Sequence, residues 1–443
     1  MKVVIVGCNH AGIAAANVLL GNEKNEVVMI DGNSNLSYLG CGTALYVGRQ
    51  IEDYHSLFYI TADEFKAKGA DIHMETFVNS VDFDKKIVHA TDKSGKPFET
   101  DYDKLILAEG SQPIDLHLPG SDLEGIHFLK LFQEGQAVDK EISNPEVKRV
   151  AVIGAGYIGV EIAEAAKRRG KEVLLFDAVD TSLSSYYDYE FTHTMDENLK
   201  EHGIELHFGE FAKEYKGKGK VEELVTDKGS YPIDLVINAV GFKPNANLGK
   251  DHLKLFANGA YVVDEHQQTS DKDVYAIGDC ATIYSNALQQ VTYIALATNA
   301  IRSGIVAGHN VDGTELKAQG VQGSNGIEIF DYKMVSTGLS VKAAKKFGID
   351  VEYTDYEDLQ KPAFVKTEEN EKVKLRIVYE KGSRRIVGAQ MASKEDVTMG
   401  IHMFSLAIEE KVTIDKLALL DIFFLPHFNQ PYNYITMAAL SAK

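Results

Sequence analysis

At 443 residues the chain exceeds one ordinary domain and fits two or three. Its hydrophobic (44%) and charged (25%) fractions are those of globular proteins, which excludes a disordered or fibrous chain. With 46 Lys and Arg against 65 Asp and Glu, the net charge of −19 makes nucleic acid and anionic membrane surfaces poor partners. Three cysteines cannot build a disulfide framework, and their odd number points to a reducing compartment. No apolar run approaches the roughly 18 residues of a membrane helix. The opening MKVVIVGCNHAG lacks the long apolar core and cleavage site of a signal peptide, so a cytoplasmic protein is expected.

In chain order, the first predicted unit is a strand at residues 3–6, a loop from Gly7 to Gly12, and an Ala-rich helix to Leu20. A second strand at 27–30 then ends on Asp31. The same order recurs as a strand at 149–153, the loop GAGYIG from Gly154 to Gly159, a helix over 160–169, and a strand at 172–176 ending on Asp177. Short runs of β-branched residues between glycines read as buried parallel strands. A strand at 274–277 runs into Gly278-Asp279, and a helix over about 294–310 returns the chain to the first unit. Beyond about residue 315 the pattern changes. Strands at 327–330 and 373–379, a hairpin turn near Gly382-Ser383, and helices over 341–347 and 398–410 predict an α+β domain.

GAGYIG has the full spacing of a pyrophosphate loop: Gly154 for the tight turn, Gly156 for close approach of phosphate, Gly159 for helix-on-strand packing. The helix N-terminus behind it offers N–H groups to the anion. Asp177 can accept hydrogen bonds from the ribose hydroxyls and would repel a 2′-phosphate, so NAD is favoured over NADP. The first loop, GCNHAG, keeps Gly7 and Gly12 but sets Asn9 in the middle position. Asp31 is nonetheless correctly spaced, and Asp279 follows a strand as an acid holding a second cofactor's polyol chain would. Ordinary strand-to-helix turns remain the alternative for both loops.

GCNHAG with Asp31, YDKLILAEGSQP (102–113), GAGYIG with Asp177, INAVGFKPN (237–245) and VYAIGDCA (274–281) together carry a resemblance. The chain resembles the pyridine-nucleotide:disulfide-type flavoprotein reductases over essentially its whole length. Glu109 departs from the pattern, since the family usually carries Thr before that glycine. In LSYLGCGTALYVG (36–48), Cys41 has Tyr46 where disulfide reductases place the second cysteine of CxxxxC. The chain is therefore similar to the single-cysteine branch of NADH oxidases, NADH peroxidases and coenzyme A disulfide reductases. His10 and PHFNQPYNY (426–434) favour the oxidase and peroxidase members, the water-forming NADH oxidases first among them.

The resemblance implies an α/β protein with two Rossmann-like nucleotide-binding domains, for FAD and NAD, plus a C-terminal α+β dimerisation domain. FAD would occupy residues 1–114 and 247–317, NADH residues 115–246, and residues 318–443 would form a homodimer. Gly7, Asn9, Ala11, Gly12, Asp31 and Gly110 would contact FAD, with Lys130, Asp279 and the helix start Leu296-Ala297-Thr298. Gly154, Gly156, Tyr157, Ile158, Gly159, Glu161, Asp177, Tyr186 and Gly241 would contact NADH. Within that set Tyr157 is implied to gate the nicotinamide pocket and to be displaced by NADH. Phe424 and His427 would reach towards the partner's active site. No metal is expected.

Cys41 opens a predicted helix over 42–47, a setting that lowers a thiol's pKa and favours thiolate. A lone thiolate closes no internal disulfide, so its cycle is thiolate to sulfenic acid and back. By resemblance His10 lies beside it and helps hold the reactive oxygen species. Cys8 and Cys280 are expected to be structural. The activity implied is oxidation of NADH by molecular oxygen, with water as product. NADH peroxidase is the first alternative; coenzyme A disulfide reductase, kept open by Tyr432 and Tyr434, comes next. A redox-sensing flavoprotein is the alternative that is not an enzyme.

Overall fold

The computed structural model describes residues 1–366 and 370–443. Its first sheet is built from β1 (Lys2–Val6), β2 (Glu26–Ile30), β3 (Asp71–His73), β4 (Lys104–Leu107) and, from much later in the chain, Val274–Ala276. The order is Val274–Ala276, β4, β1, β2, β3, and every pair is parallel. In β1 and β2 every residue after the first is buried, because a parallel sheet is covered on both faces and its strands need apolar runs rather than alternation.

One cover is α1 (His10–Leu19), whose sequence HAGIAAANVL is mostly small. It packs along the helix Ala297–Val311 at very short range. A Cβ on Gly304 would press into the Ala11 carbonyl and lie 2.8 Å from the Ala14 Cβ, and one on Gly308 would lie 2.8 Å from the Val18 Cβ. This helix begins three residues later than the expected start at about 294, because Leu296 at its N-cap is still extended (φ −144°, ψ 140°).

The second parallel sheet has the order Ile204–Phe208, Glu172–Asp177, Arg149–Ile153, Leu235–Asn238, Ile126–Phe128. The helix α2 (Thr43–Val47) projects from the first unit and packs on α3 (Tyr157–Arg168) of the second, where Gly48 meets Ala165. Arg169 secures this joint, its guanidinium donating to the Val47 carbonyl and pairing with Asp139 at 2.9 Å. A two-stranded antiparallel ribbon, Ser111–Pro113 with Phe242–Pro244, carries the chain out to the second unit and back.

The third sheet is antiparallel, as the sequence pattern predicts: β5 (Asn325–Ile329), β6 (Tyr332–Gly338), Ile386–Ser393, Lys372–Glu380 and Val351–Leu359 in that order. The expected helix over 398–410 opens as a single 3₁₀ turn before settling into Ile401–Glu409. The edge strand β5 exposes Gly326 and Glu328 but buries its other face. Its Ile327 and Ile329 join the hydrophobic core of the second unit, and the Ile329 carbonyl accepts from the Asn198 amide at 3.0 Å. Among the described residues no helix is long and apolar enough to cross a membrane.

The α1 joint supplies a stability prediction. Gly304→Val should destabilise the protein by about 1–3 kcal/mol through overpacking. Thermal unfolding against wild type checks it, and an unchanged midpoint would mean that the two helices can separate freely.

Candidate active site

Both glycine loops use glycine where the backbone demands it. Gly7 (φ +104°) and Gly154 (φ +102°) are left-handed, and each abuts a neighbouring carbonyl, of Ala108 and Ala239. Gly159 and Gly12 sit directly on the carbonyls of Gly154 and Gly7, which draws each helix onto its strand. Gly156 is different: a Cβ there would meet nothing within 4 Å. The space over it is what a phosphate needs. Ile158 lies one residue into the helix and packs against the second unit's core.

Among the described residues no side chain caps α1, α3 or the helix Ala297–Val311. Their first N–H groups are therefore left for an anion or other acceptor. Asn9, at the N-cap of α1, instead donates to the Tyr38 carbonyl at 3.2 Å. Ala297 and Thr298, at the third helix start, are exposed.

The two acids are placed alike. Asp31 accepts from Cys8 N–H (2.6 Å) and Asn33 N–H (2.7 Å), while Asp177 accepts from Ala155 N–H (2.6 Å) and Val179 N–H (3.0 Å). Each carboxylate thus straps its glycine loop and retains lone pairs for a ribose hydroxyl. Burial pushes the Asp31 carboxyl up, against those two hydrogen bonds. Just past Asp31 a cleft of about 370 Å³ opens between Gly32, Ser34, Phe77 and Lys93. The glycine loop, the uncapped helix start and Asp31 of the first unit together fit a dinucleotide.

The ribbon brings three distant segments together. Lys130 donates to Ser111 at 2.9 Å, Ser111 donates to Asp279 at 2.8 Å, and the Lys130 ammonium lies 4.8 Å from the Phe242 ring centre. Ala11 faces this group, its Cβ 3.0 Å from where a Gly278 side chain would begin. Gly110 and Gly241 are left-handed turn residues of the ribbon, pinned by Asn245 and Ile114. Glu109 accepts from Tyr261 O–H at 2.6 Å and from Leu248 N–H, yet burial pushes its carboxyl up to about 7.

Cys41 is exposed in the 3₁₀ turn Gly40–Gly42, while Cys8 and Cys280 are fully buried. Tyr46, at the second-cysteine position, sends its hydroxyl to Asp139. The expectation of an acidified thiol is corrected here. Burial, reinforced by Glu161, raises Cys41 above the ordinary thiol value, and the N–H groups of Cys41 and Gly42 only partly oppose it. Glu161 is itself pushed up to about 7 by burial, with Glu164 adding repulsion.

His10 pairs through Nδ1 with the Tyr59 hydroxyl at 2.9 Å, their rings stacked 5.8 Å apart. Burial lowers the His10 pKa, so the ring is neutral at pH 7, and Asp279 and Lys130 are its charged neighbours. Tyr157, at the first position of α3, meets Tyr186 edge-on at 4.6 Å and hydrogen-bonds Tyr187 and Asn325. In the C-terminal unit Tyr434 is buried in the core, whereas Tyr432 and Phe424 are exposed. Tyr59 and Asn325 carry no motif, and only the fold brings them to these positions; Ser111 lies within the 102–113 motif, where nothing marks it as a partner of Lys130 and Asp279. Among the described residues no His, Cys, Asp and Glu cluster has the form of a metal site.

These features define a two-nucleotide oxidoreductase with a single accessible thiol. The chain belongs to the pyridine nucleotide-disulphide oxidoreductase family, which it matches over residues 1–304, with that family's dimerisation domain matching residues 326–433. It is 65% identical to an NADH oxidase of Lactococcus lactis subsp. cremoris over 100% of both chains. It is 55% identical to an NADH oxidase of Streptococcus pyogenes, over 100% of this chain and 99% of that one. Among solved structures, the water-forming NADH oxidase from Lactobacillus brevis bound to NADH superposes with a TM-score of 0.96 at 36% identity, covering 100% of this chain and 98% of that one.

Two predictions come from the buried acids. Glu161→Gln removes a negative neighbour, so the alkylation rate of Cys41 by iodoacetamide should rise at lower pH than in wild type; an unmoved profile would separate the two groups. Glu109 holds its proton in the folded state to about pH 7 but releases it near its ordinary value when unfolded. The folded state therefore loses stability as pH rises through that interval. Glu109→Gln should gain in relative melting temperature from about pH 5 to about pH 8, and a pH-independent difference would contradict this.

Proposed function

We propose that this chain is an FAD-dependent NADH oxidase that reduces molecular oxygen to water. The observation that carries the reading is the exposed Cys41, without a partner thiol, at the joint between the two nucleotide units of a chain similar throughout to NADH oxidases. Residues 1–114 and 247–317 hold FAD, 115–246 hold NADH, and 318–443 form the dimer. In that division the uncapped α1, Asp31 and the Lys130–Ser111–Asp279 group serve FAD. The uncapped α3, Gly156 and Asp177 serve NADH.

When bound, FAD supplies hydride acceptance from NADH and delivery of electron pairs to oxygen and to oxidised cysteine. The chain's own residues do the rest. Asp177 selects a 2′-hydroxyl over a 2′-phosphate, and Tyr157 covers the nicotinamide site until NADH enters. Cys41 handles peroxide: its thiolate attacks one oxygen, the O–O bond breaks, and water leaves once hydroxide is protonated, with sulfur now sulfenic acid. A second electron pair and two protons return the thiol and release the second water. Neutral His10 can take the thiol proton before attack and return it to the departing hydroxide. A reducing cytoplasm keeps the cycle open between turnovers.

The dimer reading rests on the C-terminal surface. Leu419 and Phe423 are 85% and 66% exposed, with Phe428, Tyr432 and Met399 also open, an apolar face that a soluble monomer rarely displays.

The test is the ratio of NADH to oxygen consumed by purified, FAD-loaded protein, with peroxide assayed alongside. Two NADH per oxygen and no peroxide is expected. Cys41→Ser should keep NADH oxidation but fall to one NADH per oxygen, releasing peroxide in equal amount. A variant that still forms only water would remove Cys41 from the chemistry. NADH loss on added peroxide with negligible oxygen uptake would make the enzyme a peroxidase.

A further inference from the structure

Asn325 begins the edge strand of the C-terminal sheet, yet its side chain points to the start of α3 in the nucleotide unit. Its amide is oriented without ambiguity. Nδ2 donates to the Gly323 carbonyl at 2.7 Å, an atom that can only accept, so Oδ1 faces the other way. Three hydroxyls gather there: Tyr157 donates to Oδ1, Ser336 donates to it at 3.1 Å, and Tyr187 lies 3.3 Å away. All three hydroxyls can donate to Oδ1, and those of Tyr157 and Tyr187 are themselves hydrogen-bonded at 2.9 Å.

The acceptor is held rigidly. β5 is paired with β6 on one side, and on the other the Phe330 N–H donates to Glu164 of α3 at 2.8 Å. The loop bearing Tyr186 and Tyr187 is tied to the same sheet. Asp188 accepts from Val341 N–H, Lys342 N–H and the Gln390 amide, and lies 3.3 Å from the buried Arg376 guanidinium. The aromatic cover over the glycine loop of the second unit is thus fastened from the C-terminal sheet.

We propose that Asn325 is the latch of the Tyr157 gate, a positioning residue through which the C-terminal domain sets the cost of admitting NADH. The inference rests on the reading of Tyr157 as the side chain that NADH displaces. To swing away, Tyr157 must give up its hydrogen bonds to the Asn325 carbonyl and the Tyr187 hydroxyl. Gate opening is therefore opposed by roughly the net strength of one hydrogen bond, about tenfold in the open population.

The test uses the FAD-loaded full chain, with steady-state kinetics in NADH and anaerobic stopped-flow reduction. Asn325→Leu keeps the volume without the acceptor and should lower the KM for NADH about tenfold while kcat stays within about twofold. Tyr157→Phe should reproduce the drop, and the double variant Asn325→Leu/Tyr157→Phe should show no more than either alone. A lowered melting temperature with unchanged KM in Asn325→Leu would overturn the latch, as would effects that multiply in the double variant. Tyr157→Ala separates the two ideas: wild-type NADH kinetics in that variant would overturn the gate itself, whatever Asn325 does.

Discussion

Every unit of this molecule meets on one helix. α3 lies on its own parallel sheet through Gly159, takes the Cys41-bearing helix α2 at Ala165, and receives the edge of the C-terminal sheet through Glu164. A helix with partners on three sides needs short or apolar residues where it is packed, and YIGVEIAEAAKR buries Gly159, Val160, Ile162, Ala163, Ala165 and Ala166, with Glu164 buried because the Phe330 N–H satisfies it. Its N-terminus faces the space over Gly156, so the surface that organises the fold also presents the nucleotide site. Displacing α3 by the width of a methyl group would disturb the thiol, the phosphate loop and the C-terminal sheet together.

Electrostatics follow from the same economy. Three helix starts lack side-chain caps, and the acids nearest two of them are bound to the loops rather than to the helices. A surface carrying net charge −19 thereby contains local sites that favour anions, supplied by backbone N–H groups instead of lysines. Buried carboxyls at Glu109, within the first unit against Tyr261, and at Glu161, beside Cys41 where two units meet, have their ionisation dominated by burial.

Much of this was readable from local pattern. The glycine spacings, the acids at strand tips and the β-branched runs are short-range signals, and they marked both parallel units, the antiparallel C-terminal sheet and the accessible cysteine. What stayed hidden depends on contacts far apart in sequence. Tyr59 meets His10 across 49 positions, and Asn325 meets Tyr157 across 168, with nothing in their neighbourhoods to announce either. The ionisation of Cys41 was misjudged for a related reason. A helix start is visible in sequence, but the placing of a carboxyl from another unit, Glu161, beside an accessible thiol is not.

Cys41 also stands without a second sulfur in reach, since Cys8 and Cys280 are sealed in separate cores. On the proposed cycle, a sulfenic acid that meets another peroxide before electrons arrive has no disulfide in which to take refuge, and it advances to sulfinic acid irreversibly. The working life of each molecule is then counted in catalytic cycles rather than hours. Scarcity of NADH, by stretching the interval spent as sulfenic acid, shortens that life even when oxygen is dilute.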